Sequence, residues 1–217
     1  MNAPDRGLKD LYLANTHEVV NVSRELVDTN LYLQDAALQD AVQREGAAAA
    51  HESLVAFGAL TGSAEYLDLG VQANRFGPEL DTHDRFGNRI DLVRFHPAYH
   101  ALMKTSIEQG LHSSPWTAPG PGAHVARAAR FYLHTQVDAG HGCPITMTFA
   151  AVPSLRTTPA LAALWEPKVT ARVYDPRNVP DAAKQGLTIG MAMTEKQGGS
   201  DVRANTTRAY PVGASGP

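Results

Sequence analysis

Along this chain the apolar positions recur at helical spacing for most of its length and change to strict alternation only near the end. From Gln34 to Ala50, Asp35 is placed to cap a helix, Leu38 and Val42 recur four apart, and the alanines Ala47 to Ala50 favour continuation. Further helices are predicted over Glu52 to Leu60, Ser63 to Asn74 and Pro97 to Gln109. The last has proline in its first turn and Gly110 as its stop. Ala123 to Ala139 carries apolar residues on more than one face and should be central in a bundle. Pro144 to Leu155 and a short piece at Leu161 to Trp165 complete the helical set. Between them, residues 75–94 and Ser113 to Gly122 are turn-rich and read as surface excursions.

In Leu187 to Thr194 the period becomes two. Leu187, Ile189, Met191 and Met193 alternate with Thr188, Gly190, Ala192 and Thr194, which predicts a strand. Helices first and a strand late is not the order of a doubly wound sheet. No GxGxxG follows a strand and no GxxxxGK[ST] is present. The expected fold class is mainly α: an extended arm over 1–33, a helical domain over 34–185, and the first strand of a β domain over 186–217. That β part is too short to be complete, because a single strand has nothing to pair with.

The segment GMAMTEKQGGSD, Gly190 to Asp201, carries the most chemistry. Gly190 and Ala192 leave one strand face low enough for a flat molecule, and Thr194 adds a hydroxyl there. Gly198 and Gly199 allow tight turning with exposed N–H groups, and Ser200 adds a second hydroxyl. A planar, phosphate-bearing ligand suits these groups; an ordinary Gly-Gly-Ser turn suits them too.

Thr194-Glu-x-x-Gly-Gly-Ser-Asp201 resembles, without a gap, the first signature of the acyl-CoA dehydrogenase family. The blocks Asn30–Ala47, Asp91–Met103, Ala128–Ala151 and Thr194–Ala209 resemble its AidB-like branch, the adaptive alkylation-response flavoproteins. Lys196-Gln197 in place of the family's usual Pro-Gly favours that branch. The resemblance implies FAD, with Met191, Ala192, Met193, Thr194, Glu195, Lys196, Gln197, Gly198, Gly199 and Ser200 lining it. Thr194 would bond the isoalloxazine ring, and Ser200 the pyrophosphate or an acyl thioester. It also implies a three-part protein of which this is roughly the first two-fifths. The catalytic glutamate would lie beyond Pro217, and no catalytic residue is expected in this chain. Acyl-CoA, double-stranded DNA bound through a missing C-terminal domain, and a homo-tetramer are the implied partners. An ordinary dehydrogenase of fatty-acid or amino-acid catabolism is the alternative, and an inactive helical scaffold a third.

Composition changes this picture little. Hydrophobic residues make up 43 % of 217 and the net charge is −3, so the chain itself advertises no nucleic-acid surface. A lone cysteine, Cys143, excludes a disulfide scaffold. No signal peptide or membrane span is read, so a cytoplasmic protein is expected. Other candidates have plainer readings. His96 and His100 could share a helix face as metal ligands, but no third ligand stands near, and no metal is expected. His51-Glu52 lacks the second histidine of a zinc motif. His134 and His141 flank a helix end, where a charged imidazole would suit the dipole. Cys143 should be a small buried hydrophobe, and Arg127 and Arg130 should lie on a solvated face. Thr146 and Thr148 would line a cavity or bond their own helix. Glu195 is not expected to be a base.

Overall fold

The computed structural model describes residues 20–210. The outer part of the arm, 1–19, and the last residues, 211–217, lie outside them.

Asp35 caps α1 (Ala36–Arg44), accepting from Leu38 N at 2.8 Å. The helix then stops short of the alanine run. Gly46 adopts φ +78, and the bonds Ala47 N to Val42 O and Gly46 N to Gln43 O close it as a Schellman end. The predicted single helix to Ala50 is therefore α1, a 3₁₀ turn at Ala48–Ala50 and then α2 (His51–Thr61). Ser63 caps α3 (Ala64–Arg75). His96 caps α4 (Pro97–Glu108), its Nδ1 accepting from Ala98 N.

A four-residue α5 (Ser114–Thr117) interrupts the predicted loop. After it come α6 (Ala123–Thr135), α7 (Gly142–Arg156) and α8 (Pro159–Val169), the last longer than its sequence pattern suggested. α6 packs against α1, α2 and α5, as a central helix should. The core joins Tyr32, Leu54, Phe57, Ile107, Leu133 and Ile145 from five parts of the chain.

The excursion at 75–94 contains an antiparallel hairpin, β1 (Glu79–His83) and β2 (Arg89–Arg94), registered Glu79↔Arg94 and Leu80↔Val93. Asp84 builds its turn by accepting from Phe86 N and Asn88 N, with Gly87 at φ +85. Its strands, ELDTH and RIDLVR, carry few apolar residues and no strict alternation, so the turn-forming residues around them dominate the pattern.

Conversely, no ladder forms at Leu187 to Thr194. The predicted strand is a single segment without a strand partner among the described residues, so it is not assigned as sheet.

The end of the arm packs on the bundle: Leu31 and Tyr32 are buried in the core. Leu31 N bonds Gly58 O, Thr29 N bonds Gly62 O, and Asn30 Nδ2 bonds Val55 O. The chain can approach this closely only because α2 is bare there: a Cβ on Gly62 would lie 1.8 Å from Thr29 O. Gly62→Ala is therefore expected to lower stability by about 1–3 kcal/mol, through displaced backbone rather than lost apolar area. A urea midpoint that does not move would contradict this account of the groove.

Candidate functional site

The segment 186–207 lies across α7 and α8 and is held there at alternate residues. Leu187 N bonds Lys168 O at 3.1 Å, Ile189 N bonds Thr148 Oγ1 at 3.0 Å, and Met191 N approaches Met147 Sδ at 3.3 Å. The period of two in the sequence is thus expressed as one edge anchored to helices. Among the described residues, no bond engages the N–H groups of Thr188, Gly190 and Ala192 on the other edge.

Thr148 does both things a helical threonine can do here. Its hydroxyl donates back to Pro144 O at 2.7 Å and accepts from Ile189 N. Thr146 faces outward, and so does Cys143, against the expectation that it would be buried. A residue at the first turn of α7 stays open beside the exposed Ala139 and Gly140, although His141 and Gly142 between them are buried.

Downstream the segment folds on itself. Glu195 N bonds Gly198 O at 2.9 Å, and Asn205 Nδ2 bonds Met193 O at 2.9 Å. The Glu195 carboxylate accepts from the backbone N–H and the hydroxyl of both Thr206 and Thr207. These bonds, led by the Thr207 hydroxyl, draw its carboxyl down to about 2. Glu195 closes a loop and is not disposed as a base. Gly198 is buried where a Cβ would lie 1.6 Å from Asn205 Oδ1, so any larger residue must displace the Asn205 side chain.

Around this closure Met191, Ala192, Met193, Thr194, Lys196, Gln197, Gly199 and Ser200 are exposed. A Cβ built on Gly190 or Gly199 would meet nothing within 4 Å. The predicted residues therefore form one continuous strip, open on its outer side. Beside it, Thr188 edges a cleft of about 590 Å³ that β2, α4 and the stretch Tyr174–Lys184 enclose. In that cleft His100 Nδ1 and the Tyr174 hydroxyl are 2.7 Å apart, and among the described residues no three His, Cys, Asp or Glu side chains gather as metal ligands.

A second polar assembly, which the sequence did not reveal, lies inside the bundle. The Tyr66 hydroxyl is 2.7 Å from His134 Nε2, and Ser106 Oγ is 2.7 Å from His134 Nδ1. His141 Nε2 is 3.1 Å from Ser106 Oγ and 2.9 Å from His134 Nδ1. His141 Nδ1 is 2.8 Å from Asp138 Oδ2, and Asn74 Nδ2 donates to Asp138 Oδ1 at 2.8 Å. Donors and acceptors alternate if the chain runs Tyr66 to His134 to Ser106 to His141 to Asp138, with both rings uncharged. Ser106, His141 and Asp138 follow the order of a serine-hydrolase triad. Ser106 is fully buried, however, so no substrate reaches it.

Burial drives His134 down to about 3, with His141 adding to the fall, and burial likewise lowers His141. These are not the charged, dipole-facing imidazoles that their place at a helix end suggested. Arg127 is a parallel correction. Its guanidinium lies 4.1 Å from the Phe149 ring centre and 4.7 Å from that of Phe131, and its Nε donates to Leu111 O at 2.7 Å. Arg130 is half-buried and donates to Ser53 Oγ. Long stems let both cover apolar surface that the expected solvated face would have left bare.

The fold has counterparts among solved structures. Bd2924 in its apo-form superposes with a TM-score of 0.74 at 27 % identity, covering 89 % of this chain and 38 % of that one. Caenorhabditis elegans ACDH-11, solved in complex with C11-CoA, gives 0.68 at 25 %, covering 93 % of this chain and 34 % of that one. Residues 21–176 match the profile of the adaptive response protein AidB N-terminal domain, and the chain belongs to that family. It is similar to AidB of Escherichia coli (strain K12), 50 % identical over 196 residues that cover 89 % of this chain and 36 % of AidB. It is also similar to acyl-CoA dehydrogenase family member 11 of C. elegans, 30 % identical over 142 residues, 64 % of this chain and 22 % of that protein. The chain thus spans about a third or less of the curated relatives it matches. No helix of the described residues is long and apolar enough to cross a membrane.

Two outcomes follow from this geometry. Thr148→Val removes the acceptor for Ile189 N–H, so amide exchange at Ile189 should quicken roughly tenfold while Thr148→Ser retains protection. Equal exchange in the two variants would show that Thr148 does not hold the strip. His112, His134 and His141 are uncharged in the fold, His112 lowered to about 4 chiefly by burial. Each takes up a proton on unfolding below its ordinary value of about 6.5. Stability is fully present above pH 6.5 and is lost as pH falls toward 4, with a slope of at most about 4 kcal/mol per pH unit. Urea midpoints that stay level from pH 7.5 to 5 would refute this.

Proposed function

We propose that this chain forms one wall of the FAD site of an AidB-like flavoprotein of acyl-CoA dehydrogenase type. The observation that carries the proposal is the open strip Met191 to Ser200, anchored along one edge and unbonded along the other. The residues suit the group. A flat ring can lie over Gly190 and Ala192, where no side chain rises. Thr194 offers a hydroxyl to a ring carbonyl. Gly199 and Ser200 offer N–H and hydroxyl donors to a pyrophosphate. Bound there, FAD would supply a hydride acceptor for an acyl thioester.

In this reading the chain's own residues bind and orient. Glu195, with its lone pairs committed to Thr206 and Thr207, and Gly198, packed on Asn205, keep the turn in the shape that presents Thr194 and Ser200. The outward face of α7, with Thr146 beside the strip, would wall the acyl group. The base that removes the substrate proton lies outside this chain. The solved ACDH-11 complex holds C11-CoA, which supports an acyl-CoA as the substrate class. The boundary near residue 186 between a helical and a β part belongs to the same proposal. So do a homo-tetramer, a cytoplasmic location, and a role in the alkylation response with duplex DNA bound by other parts of the protein.

The test uses the full-length protein. It should purify with flavin absorbance and release FAD on denaturation. Gly198→Val should reduce that occupancy severalfold while the helical signal by circular dichroism stays intact. A full-length protein without flavin would sink the reading. Salt-dependent binding of duplex DNA would favour the alkylation-response role, and its absence the ordinary dehydrogenase. The 217-residue chain alone, offering a single wall, should bind FAD no tighter than micromolar.

A further inference from the structure

A second recess, of about 270 Å³, lies where the end of α3, the root of the hairpin and the α6–α7 turn meet. None of the strip residues lines it, and it shares only Phe95 and Tyr99 with the larger cleft. Its walls are aromatic. Phe76 stacks on His96 at 4.9 Å and 20°, and Phe95 on Tyr99 at 4.2 Å and 16°. Ring faces carry the negative part of an aromatic quadrupole and attract cations.

Asp138 also lines this recess, 6 % exposed. Its partners are His141 N at 2.9 Å, His141 Nδ1 at 2.8 Å and Asn74 Nδ2 at 2.8 Å. Burial alone would raise its carboxyl, but these bonds outweigh it and hold Asp138 below the usual carboxylate range. The carboxylate thus accepts from Asn74 and from His141, whose ring burial pushes below its ordinary value, and from no Lys or Arg among the described residues. His96 accepts from Ala98 N with Nδ1, which only an uncharged ring can do. The guanidinium of Arg75 sits 5.6 Å from the Phe76 ring centre, and among the described residues no Lys or Arg pairs with Asp138. A buried charge without a counter-charge is costly, and what this one lacks is a cation. Gly140 leaves the approach open: a Cβ there would stand 3.5 Å from both carboxylate oxygens.

We propose that this recess binds a small organic ammonium ion, its alkyl groups against Phe76, Phe95 and Tyr99 and its charge facing Asp138. The class is a quaternary or alkylated ammonium rather than a metal ion, since ring faces supply most of the surface and only one carboxylate is present. The probe is choline, with the neutral isostere 3,3-dimethyl-1-butanol as its control, titrated by NMR into the 217-residue chain. Choline should saturate with a Kd on the order of millimolar and shift the ring protons of Phe95 and Tyr99. The isostere should bind at least about tenfold more weakly. Asp138→Asn should weaken choline about tenfold and leave the isostere unchanged. Should Asp138→Asn disturb the fold, Gly140→Ala decides, because it partly covers the carboxylate without touching the bundle. Equal binding of choline and the isostere overturns the proposal, as does no saturation by choline, or choline affinity unchanged in Gly140→Ala.

Discussion

One hydrogen-bonded chain inside the bundle positions everything else. Tyr66 belongs to α3, Ser106 to α4 and His134 to α6, while Asp138 and His141 form the turn that enters α7. Four helices are therefore fixed to one another by polar groups as well as by the apolar core. Such a network is all or nothing. Each buried member left without its partner would cost about 1–3 kcal/mol, so the four helices must keep one mutual arrangement. Apolar side chains tolerate small slides between helices, but a hydrogen bond between a hydroxyl and a ring nitrogen does not.

Both candidate sites hang from this chain. At one end, Asp138 is presented to the aromatic recess while its other oxygen contacts are held by His141 and Asn74. Beside it, His141 fixes the first turn of α7, and two turns further Thr148 receives Ile189 N. The strip inherits its orientation from α7, whose register the buried histidines set. Tyr99 lies between, lining both the recess and the cleft beside the strip. A rigid interior and a thinly bonded outer segment are the division expected where binding groups are carried by a scaffold.

What could be read from the sequence follows the range of the interactions. The motif from Thr194 to Asp201 was legible because its partners lie fairly close in sequence: Glu195 reaches Thr206 and Thr207, 11 and 12 residues on, and Gly198 meets Asn205. Helix starts at Asp35, Ser63 and His96 were legible for the same reason, since each cap bonds an N–H two or three residues on. The buried chain was not, because Tyr66 and His134 stand 68 residues apart and nothing in either neighbourhood signals the other. The hairpin was hidden by its own turn, where Asp84, Gly87 and Asn88 dominate a pattern that strands of five and six residues barely establish. Arg127 misled because a charge suggests solvent, whereas three methylenes and two ring faces allow burial.

The alternation at Leu187 to Thr194 was read as a strand and is neither wholly that nor a failure of the pattern. Period two records that successive residues face opposite ways. It does not say what pairs with the backbone. Here one edge is met by a carbonyl of α8, a hydroxyl of α7 and a thioether of α7, three unlike acceptors that replace a neighbouring strand. The other edge keeps its N–H groups free for acceptors from elsewhere. In water such groups cost little, but a surface that covers them must bring acceptors of its own. An apolar partner would strand those donors, whereas a flat molecule edged with carbonyl and phosphate oxygens would satisfy them.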